Sequence, residues 1–278
     1  MEIVATEKQP TLIELEQKML KLDQADCPVI HRFGPGVYIR EVKIPAGALA
    51  IGHYQKCPHM NIFLQGRLTI VNNDGTISEL VAPMIFSAEP GRKCGYVHED
   101  VVWLNIYPTD ETDVEKLEAT YLDKSPSWQQ ANDLRENEAV KRIKDVDDYR
   151  KLLSEVGFTE EDVRGQAENE EDQIPIPLGS YKFAVSKSLI EGNGIFATAE
   201  IGPGEVIGPA RIGGKRTPIG RYTNHSISPN AKMVDYKGDI YLVATEKING
   251  CKGGFMGQEI TTNYRENLKL IGVKKCLE

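Results

Sequence analysis

RYTNHSISPNA, residues 221–231, is the stretch on which the reading of this chain turns. It packs Asn224, His225, Ser226, Pro229 and Asn230 into a short polar run between two apolar stretches. Taken alone, such a run is a loop whose side chains satisfy their own backbone. Upstream stands Gly192-Asn193-Gly194-Ile195-Phe196-Ala197. Its glycines permit close backbone approach, and a simple β-turn explains it equally well. Downstream stands Gly257-Gln258-Glu259-Ile260-Thr261-Thr262-Asn263-Tyr264, a turn and a strand ending in tyrosine.

In this order and spacing the three segments resemble those of the SET-domain lysine methyltransferases. That family carries Gly-x-Gly-hydrophobic-Phe/Tyr-Ala, then Arg-Phe-x-Asn-His-Ser-x-x-Pro-Asn, then Gly-Glu-Glu-Leu/Ile-Thr-x-x-Tyr. The middle pattern is the specific one. Here Tyr222 stands for its Phe, with Asn224, His225, Ser226, Pro229 and Asn230 in register. DIYLVATEKI (239–248) is similar to the strand that links the family's motifs.

The resemblance covers about the last hundred residues and implies a β-clip fold closed by a pseudoknot, a threading otherwise rare in proteins. It implies S-adenosylmethionine lying against Gly192, Asn193, Gly194, Phe196, Arg221, Tyr222, Asn224 and His225. Tyr264 would be the catalytic residue, its hydroxyl beside the methyl in flight. Tyr222, Tyr241 and Tyr264 would wall the lysine channel, with Tyr236 a further candidate.

Such chemistry suits these residue types. Methyl transfer from a sulfonium to an amine needs positioning and electrostatics, with no metal and no covalent intermediate. The lysine, with a reference pKa of about 10.4, must be neutral, and a dry aromatic channel disfavours its charged form.

Four departures from the family bear on the substrate more than on the cofactor. Gln258 replaces a Glu, Asn263 replaces the common Asp, and NGCKGGFM (249–256) replaces a tight turn. Cys276 alone follows Tyr264, so the cysteine-rich zinc tail of many members is missing. The stretch from Gly194 to Asn224 leaves little room for a substrate-recognition insert, so peptide specificity is expected from the tail 265–278 or the N-terminal part.

Moving outward, Ile174-Pro175-Ile176-Pro177 reads as an extended linker and marks a boundary. Before it lies an acidic helical region, 111–177. Val146, Tyr149, Leu152, Leu153 and Val156 share one helical face there, and Gly157 stops the helix. Thr159 opens a second short helix, and 159–172 holds seven acids against one arginine. Residues 1–177 carry 19 Lys/Arg against 32 Asp/Glu, whereas 178–278 carry 14 against 9. That asymmetry suggests that the acidic segment docks on the C-terminal part and influences access to its pocket.

Residues 1–110 open with a helix-spaced stretch, TLIELEQKMLKLDQ (11–24), and continue in short β-rich runs from Gly36 to about Tyr107. Asn73-Asp74-Gly75 reads as a hairpin turn. Residues 36–108 resemble a cupin. His53 through Cys57, His59 and Gly66 is similar to the first cupin motif, and Glu89-Pro90-Gly91-Arg92-Lys93-Cys94 to the second. The resemblance implies a divalent-metal site drawn from His53, Cys57, His59 and Cys94. A degenerate cupin kept for binding or oligomerisation fits as well, because no register preserves a full ligand set. His31 and His98 read as surface or capping residues. Fold analogy further implies a homodimer through the cupin-like sheets.

The fold expected is therefore mainly β, with a cupin-like barrel (1–110), a helical linker (111–177) and a SET domain (178–278). The function expected is S-adenosylmethionine-dependent methylation of a lysine-bearing protein or peptide. The alternatives are a catalytically weak SET/cupin binding or oligomerisation module and a metal-dependent cupin enzyme. No apolar run approaches the roughly 20 residues that span a bilayer, and nothing reads as a signal peptide. Five unpatterned cysteines and a net charge of −8 fit a cytoplasmic protein with no membrane and no specific nucleic-acid partner. Lacking zinc modules, the combination resembles a bacterial or phage protein, placed in the host cytoplasm if phage-encoded, more than a chromatin enzyme.

Overall fold

The computed structural model describes residues 11–71, 75–136 and 143–270. The chain is mainly β. Thr11 starts the first helix, α1 (Leu12–Met19), through a capping box: its hydroxyl accepts from the Glu14 N–H, and Glu14 accepts from the Thr11 N–H.

Eight strands follow: β1 (Val29–Gly34), β2 (Val37–Ile44), β3 (Leu49–Ile51), β4 (Tyr54–Gln55), β5 (His59–Val71), β6 (Ile77–Val81), β7 (Met84–Ala88) and β8 (Cys94–Pro108). Next come α2 (Val114–Tyr121), β9 (Leu122–Asp123), α3 (Pro126–Glu136), α4 (Ile143–Val156), α5 (Glu160–Glu168) and β10 (Gly179–Tyr181). One large sheet runs β10-β1-β2-β8-β5-β6, with β3 added on β8 and β7 on β5, while β4 pairs with β9. Asn73 and Asp74 lie outside the described residues. The strands flanking them pair from Arg67↔Val81 to Val71↔Ile77, the register a hairpin requires. Along β5 the pairing with β8 shifts around Gly66, which sits at φ +97° with a carbonyl of Asp100 where a Cβ would stand. Only glycine fits that position.

Strand β1 alternates as a half-buried strand should, with Val29, His31 and Phe33 buried. This corrects the expectation of a surface His31. Its parity on β1 turns it inward, and its Nδ1 lies 2.7 Å from the Tyr38 hydroxyl.

The C-terminal strands are β11 (Phe183–Lys187), β12 (Asn193–Ala197), β13 (Val206–Ile212), β14 (Lys215–Arg216), β15 (Asn224–His225), β16 (Ala231–Tyr236), β17 (Asp239–Ala244) and β18 (Glu259–Thr262). Between β14 and β15 lies α6 (Pro218–Tyr222), and α7 (Tyr264–Leu270) follows β18. They form two four-stranded sheets, β11-β12-β18-β15 and β14-β13-β17-β16. One core spans the chain: Phe33, Tyr38 and Tyr107 of the large sheet pack in the same buried cluster as Tyr181, Ile195, Leu242 and Ile260. A smaller cluster, including Phe63, Leu68 and Val97, fills the far end of the large sheet.

Segment 249–256 clasps the residues just before β1 and the helix α3. Cys27 N–H donates to the Cys251 carbonyl at 3.2 Å and Gly253 N–H to the Ala25 carbonyl at 2.8 Å. The Phe255 ring stacks on Trp128 at 5.2 Å. Among the described residues no helix is long and apolar enough to cross a membrane.

Candidate functional site

The three motifs meet in one small sheet. Strand β18 pairs antiparallel with β12 (Ile195↔Ile260, Phe196↔Glu259) and parallel with β15 (Asn224↔Thr261, His225↔Thr262). Segments 31 and more residues apart in sequence thus lie side by side, and buried side chains lock them. The Asn224 amide donates to the Glu191 carbonyl (3.2 Å), the Asn193 carbonyl (3.1 Å) and Glu259 Oε1 (3.0 Å). Ser188 Oγ donates to the same Glu259 oxygen at 2.7 Å. Asn230 bridges β18 as well, its amide donating to the Glu259 carbonyl and its oxygen accepting from the Thr261 N–H. Every donor-acceptor choice follows from burial: a carboxylate on this sheet needs hydrogen bonds from all sides.

His225 has a fixed tautomer. Its Nδ1 accepts from the Tyr264 N–H at 3.1 Å, so its proton sits on Nε2 and is donated to Asp148 Oδ2 at 2.8 Å. Asp148, on α4, also accepts from the Arg265 guanidinium at 2.6 Å. The Arg265 bonds, and then His225, hold the Asp148 carboxyl below the usual carboxylate range against the opposing pull of burial. One turn earlier, Asp145 accepts from Ser226 Oγ (2.7 Å) and the Ile227 N–H (3.1 Å).

The Tyr264 hydroxyl donates to the Thr223 carbonyl at 2.8 Å. Burial pushes its phenol well above the ordinary range, so it stays protonated. Its ring neighbours are His225, at 5.4 Å between centroids, and Tyr149 of α4, at 6.2 Å. No ring contact among the described residues joins it to Tyr222 or Tyr241. Tyr222 lies under the Arg221 guanidinium (4.8 Å), and Tyr241 meets Tyr236 edge-on at 6.3 Å. The structure therefore brings Tyr264 to the Asn224–His225 pair, while Tyr222 and Tyr241 have other ring partners.

Gly192 lies at φ +52° with open space where a Cβ would stand, whereas a Cβ on Gly194 would strike the Glu259 carboxylate. The opening of the Gly-x-Gly loop is thus free, and its end is packed. Around it the acidic segment does dock. Arg164 pairs with Glu191 at 2.9 Å, Arg221 donates to the Ala167 carbonyl at 3.3 Å, and Asp172 pairs with Arg216 at 2.6 Å. Gln166 also accepts from Arg216.

Asp145, Asp148, Ser188, Glu259 and Arg265 form the polar frame of this site, and of these only Glu259 lies within a motif. The spacing of Asp145 and Asp148, three apart on one helix face, was the available signal for two of them.

The four residues of the cupin-like metal reading do not converge. His53 sits edge-on against Trp128, with ring centroids 5.0 Å apart. His59 is satisfied by protein on both nitrogens, by the Cys57 carbonyl (3.0 Å) and the Asn105 amide (3.4 Å). Cys94 is buried on β8, pairing with Ile51 and Val71, and Cys57 is half-buried. Among the described residues no group of three or more His, Cys, Asp or Glu could hold a metal ion. The reason is local: His59 spends both nitrogens on hydrogen bonds, and the ring of His53 is turned to the Trp128 face. His98, also half-buried, meets the Thr69 hydroxyl at 2.8 Å.

No family model matches the chain, and no curated protein matches it. Among solved structures it is similar to a cupin-2 domain protein of Shewanella frigidimarina, at 16% identity over 35% of this chain and 94% of that one, with a TM-score of 0.25. A cupin domain of Bordetella pertussis is similar at 14% identity, over 32% of this chain and 98% of that one, with a TM-score of 0.26. A double-stranded β-helix cupin of Methanocaldococcus jannaschii is similar at 16% identity, over 34% and 88%, with a TM-score of 0.26.

Proposed function

We propose that the chain is an S-adenosylmethionine-dependent methyltransferase acting on lysine in a protein or peptide. The observation that carries the reading is the pairing of β18 with both β12 and β15, which sets Gly192, Asn224, His225 and Tyr264 around one place. Two observations support a cofactor there: Gly192 has open space beside it, and Asn224 ties down the adjoining backbone at Glu191 and Asn193. Gly192, Asn193, Asn224 and His225 would hold it, flanked by Arg221 and Tyr222. When bound, the cofactor supplies an electrophilic methyl on a sulfonium.

This chain's part is orientation. Tyr264, kept as a neutral phenol and anchored on Thr223, offers a fixed dipole rather than a phenolate base. The Arg265–Asp148–His225 chain holds the backbone of Tyr264 through His225 Nδ1. The protein works in the cytoplasm, and its cupin-like barrel serves recognition or dimerisation. Ile77, Val81 and Ile85, exposed apolar residues on β6 and β7, support a sheet-to-sheet homodimer.

A second reading, the same fold as a binding module without turnover, is favoured by one observation. Helix α4 lays Tyr149 against Tyr264 and Asp148 on His225. Mass spectrometry after incubating the full chain with S-adenosylmethionine and a cell lysate separates the two. Methylated lysine that falls at least about tenfold in Tyr264→Phe supports the enzyme, on the scale of one lost orienting group. Methylation equal to wild type in that variant overturns the mechanism, and no methylation at all favours the binding module.

A further inference from the structure

A buried, positively charged cavity lies apart from the methyltransferase motifs. Its walls come from β1 (Val29, His31), β2 (Arg40), His53, α2 (Glu118), Lys124 and the clasp around Cys251 and Gly254. Residues His31 and Arg40 are direct partners across the β1–β2 ladder and so face the same side. The cavity measures about 10 Å³, room for one water-sized species.

Five buried side-chain polar atoms among the described residues lack a hydrogen-bond partner, and three of them line this cavity: His31 Nε2, Arg40 Nε and His53 Nδ1. Natural proteins rarely leave such groups orphaned, because each costs about 1–3 kcal/mol. Three orphans in one place point to a missing partner.

The charges say what kind. Lys124 is matched by Glu118 at 2.8 Å, and the nearby Arg92 is matched by Glu16. No carboxylate among the described residues lies within ion-pair distance of Arg40; Glu118 on the same wall is held ionised, against the pull of burial, by Lys124 and Arg40 together, so two cations face one carboxylate and a net positive charge remains. Burial drives His31 and His53 down to about 4, so at pH 7 each is a neutral imidazole with a single N–H, and neither adds positive charge. The Tyr38 hydroxyl lies 2.7 Å from His31 Nδ1, and the tautomer in which it donates there sets that ring's proton on Nε2, the unpartnered nitrogen. The Arg40 Nε–H is a donor only. A water molecule accepts two such bonds and leaves that net charge in place. A small anion accepts all of them and neutralises it.

We propose that this cavity is a structural site for a monovalent anion of halide size, held by Arg40, His31 and His53. It pins the 249–256 clasp to β1 and β2, because Cys251 and Gly254 form the opposite wall. Anion occupancy thereby links the two ends of the chain.

The test uses the full chain and bromide. Crystals grown in sodium bromide should show an anomalous peak between Arg40 Nε and His31 Nε2. In solution, the Tm should be higher in sodium bromide or chloride than in sodium gluconate at equal ionic strength, and Arg40→Met should abolish that difference. A cavity holding only water in the bromide crystals overturns the proposal. So does an Arg40→Met variant that keeps the full halide effect. Should that variant not fold, the wild-type anomalous map decides alone.

Discussion

Asn224 shows how a motif residue becomes structural. Its amide serves three acceptors at once, so Asn224→Ala leaves Glu259 with fewer donors and two loop carbonyls exposed to an apolar sheet. A loss of about 2–4 kcal/mol is expected, measurable by urea unfolding; a change under about 0.5 kcal/mol would show that the lock is not real. His31 sets a pH limit. Its folded pKa of about 4 lies below the reference value of 6.5, so the unfolded chain takes up a proton first. Its stabilisation is therefore complete above about pH 6.5 and is lost as the pH falls toward 4, at up to about 1.4 kcal/mol per unit. In halide-free buffer, urea unfolding at pH 7, 5.5 and 4.5 should show this slope, and His31→Gln should reduce it, leaving the share that His53 contributes. A slope unchanged in that variant would assign the effect elsewhere. That Gly192, Asn224, His225 and Tyr264 stand together in space was legible in the sequence, because their motifs are local and rare. Their partners Asp148, Ser188 and Arg265 were not, because a hydrogen bond across 77 or 71 positions leaves no periodic trace.

At the scale of elements, the caps and periodicities read well. Thr159 opens α5 as its sequence indicates, with a capping box, and Val146–Val156 does form one helix, α4; the helix-spaced stretch 11–24 is helical over Leu12–Met19. Segment 249–256 was opaque, since its role is set by what it touches: Ala25, Cys27 and Trp128, far away in sequence. Gly250 is the tight point of that clasp. A Cβ there would stand 2.4 Å from the backbone of Ala199, which cannot move aside as a side chain would. Gly250→Ala is expected to destabilise the chain by about 1–3 kcal/mol and to speed hydrogen exchange at Cys27 and Gly253. Unchanged exchange at both amides would mean that the clasp does not hold the termini together.

Across the whole molecule, the linker at 174–177 separates sequence textures more sharply than it separates structure. Just beyond it, β10 joins the N-terminal sheet beside β1, and one buried cluster takes residues from both sides. Extended Ile-Pro-Ile-Pro is visible in a sequence; the shared burial of Phe33, Tyr181 and Ile195 is not, since it depends on how two sheets pack. A fragment of residues 178–278 alone should therefore lack a cooperative melt, while the full chain unfolds in one transition. A sharp melt of that fragment would restore the picture of independent halves. The central claim, that three distant motifs build one cofactor site, has a direct measurement. Calorimetric titration of the full chain with S-adenosylmethionine should give saturable one-to-one binding. Absence of any heat of binding up to millimolar cofactor would contradict it.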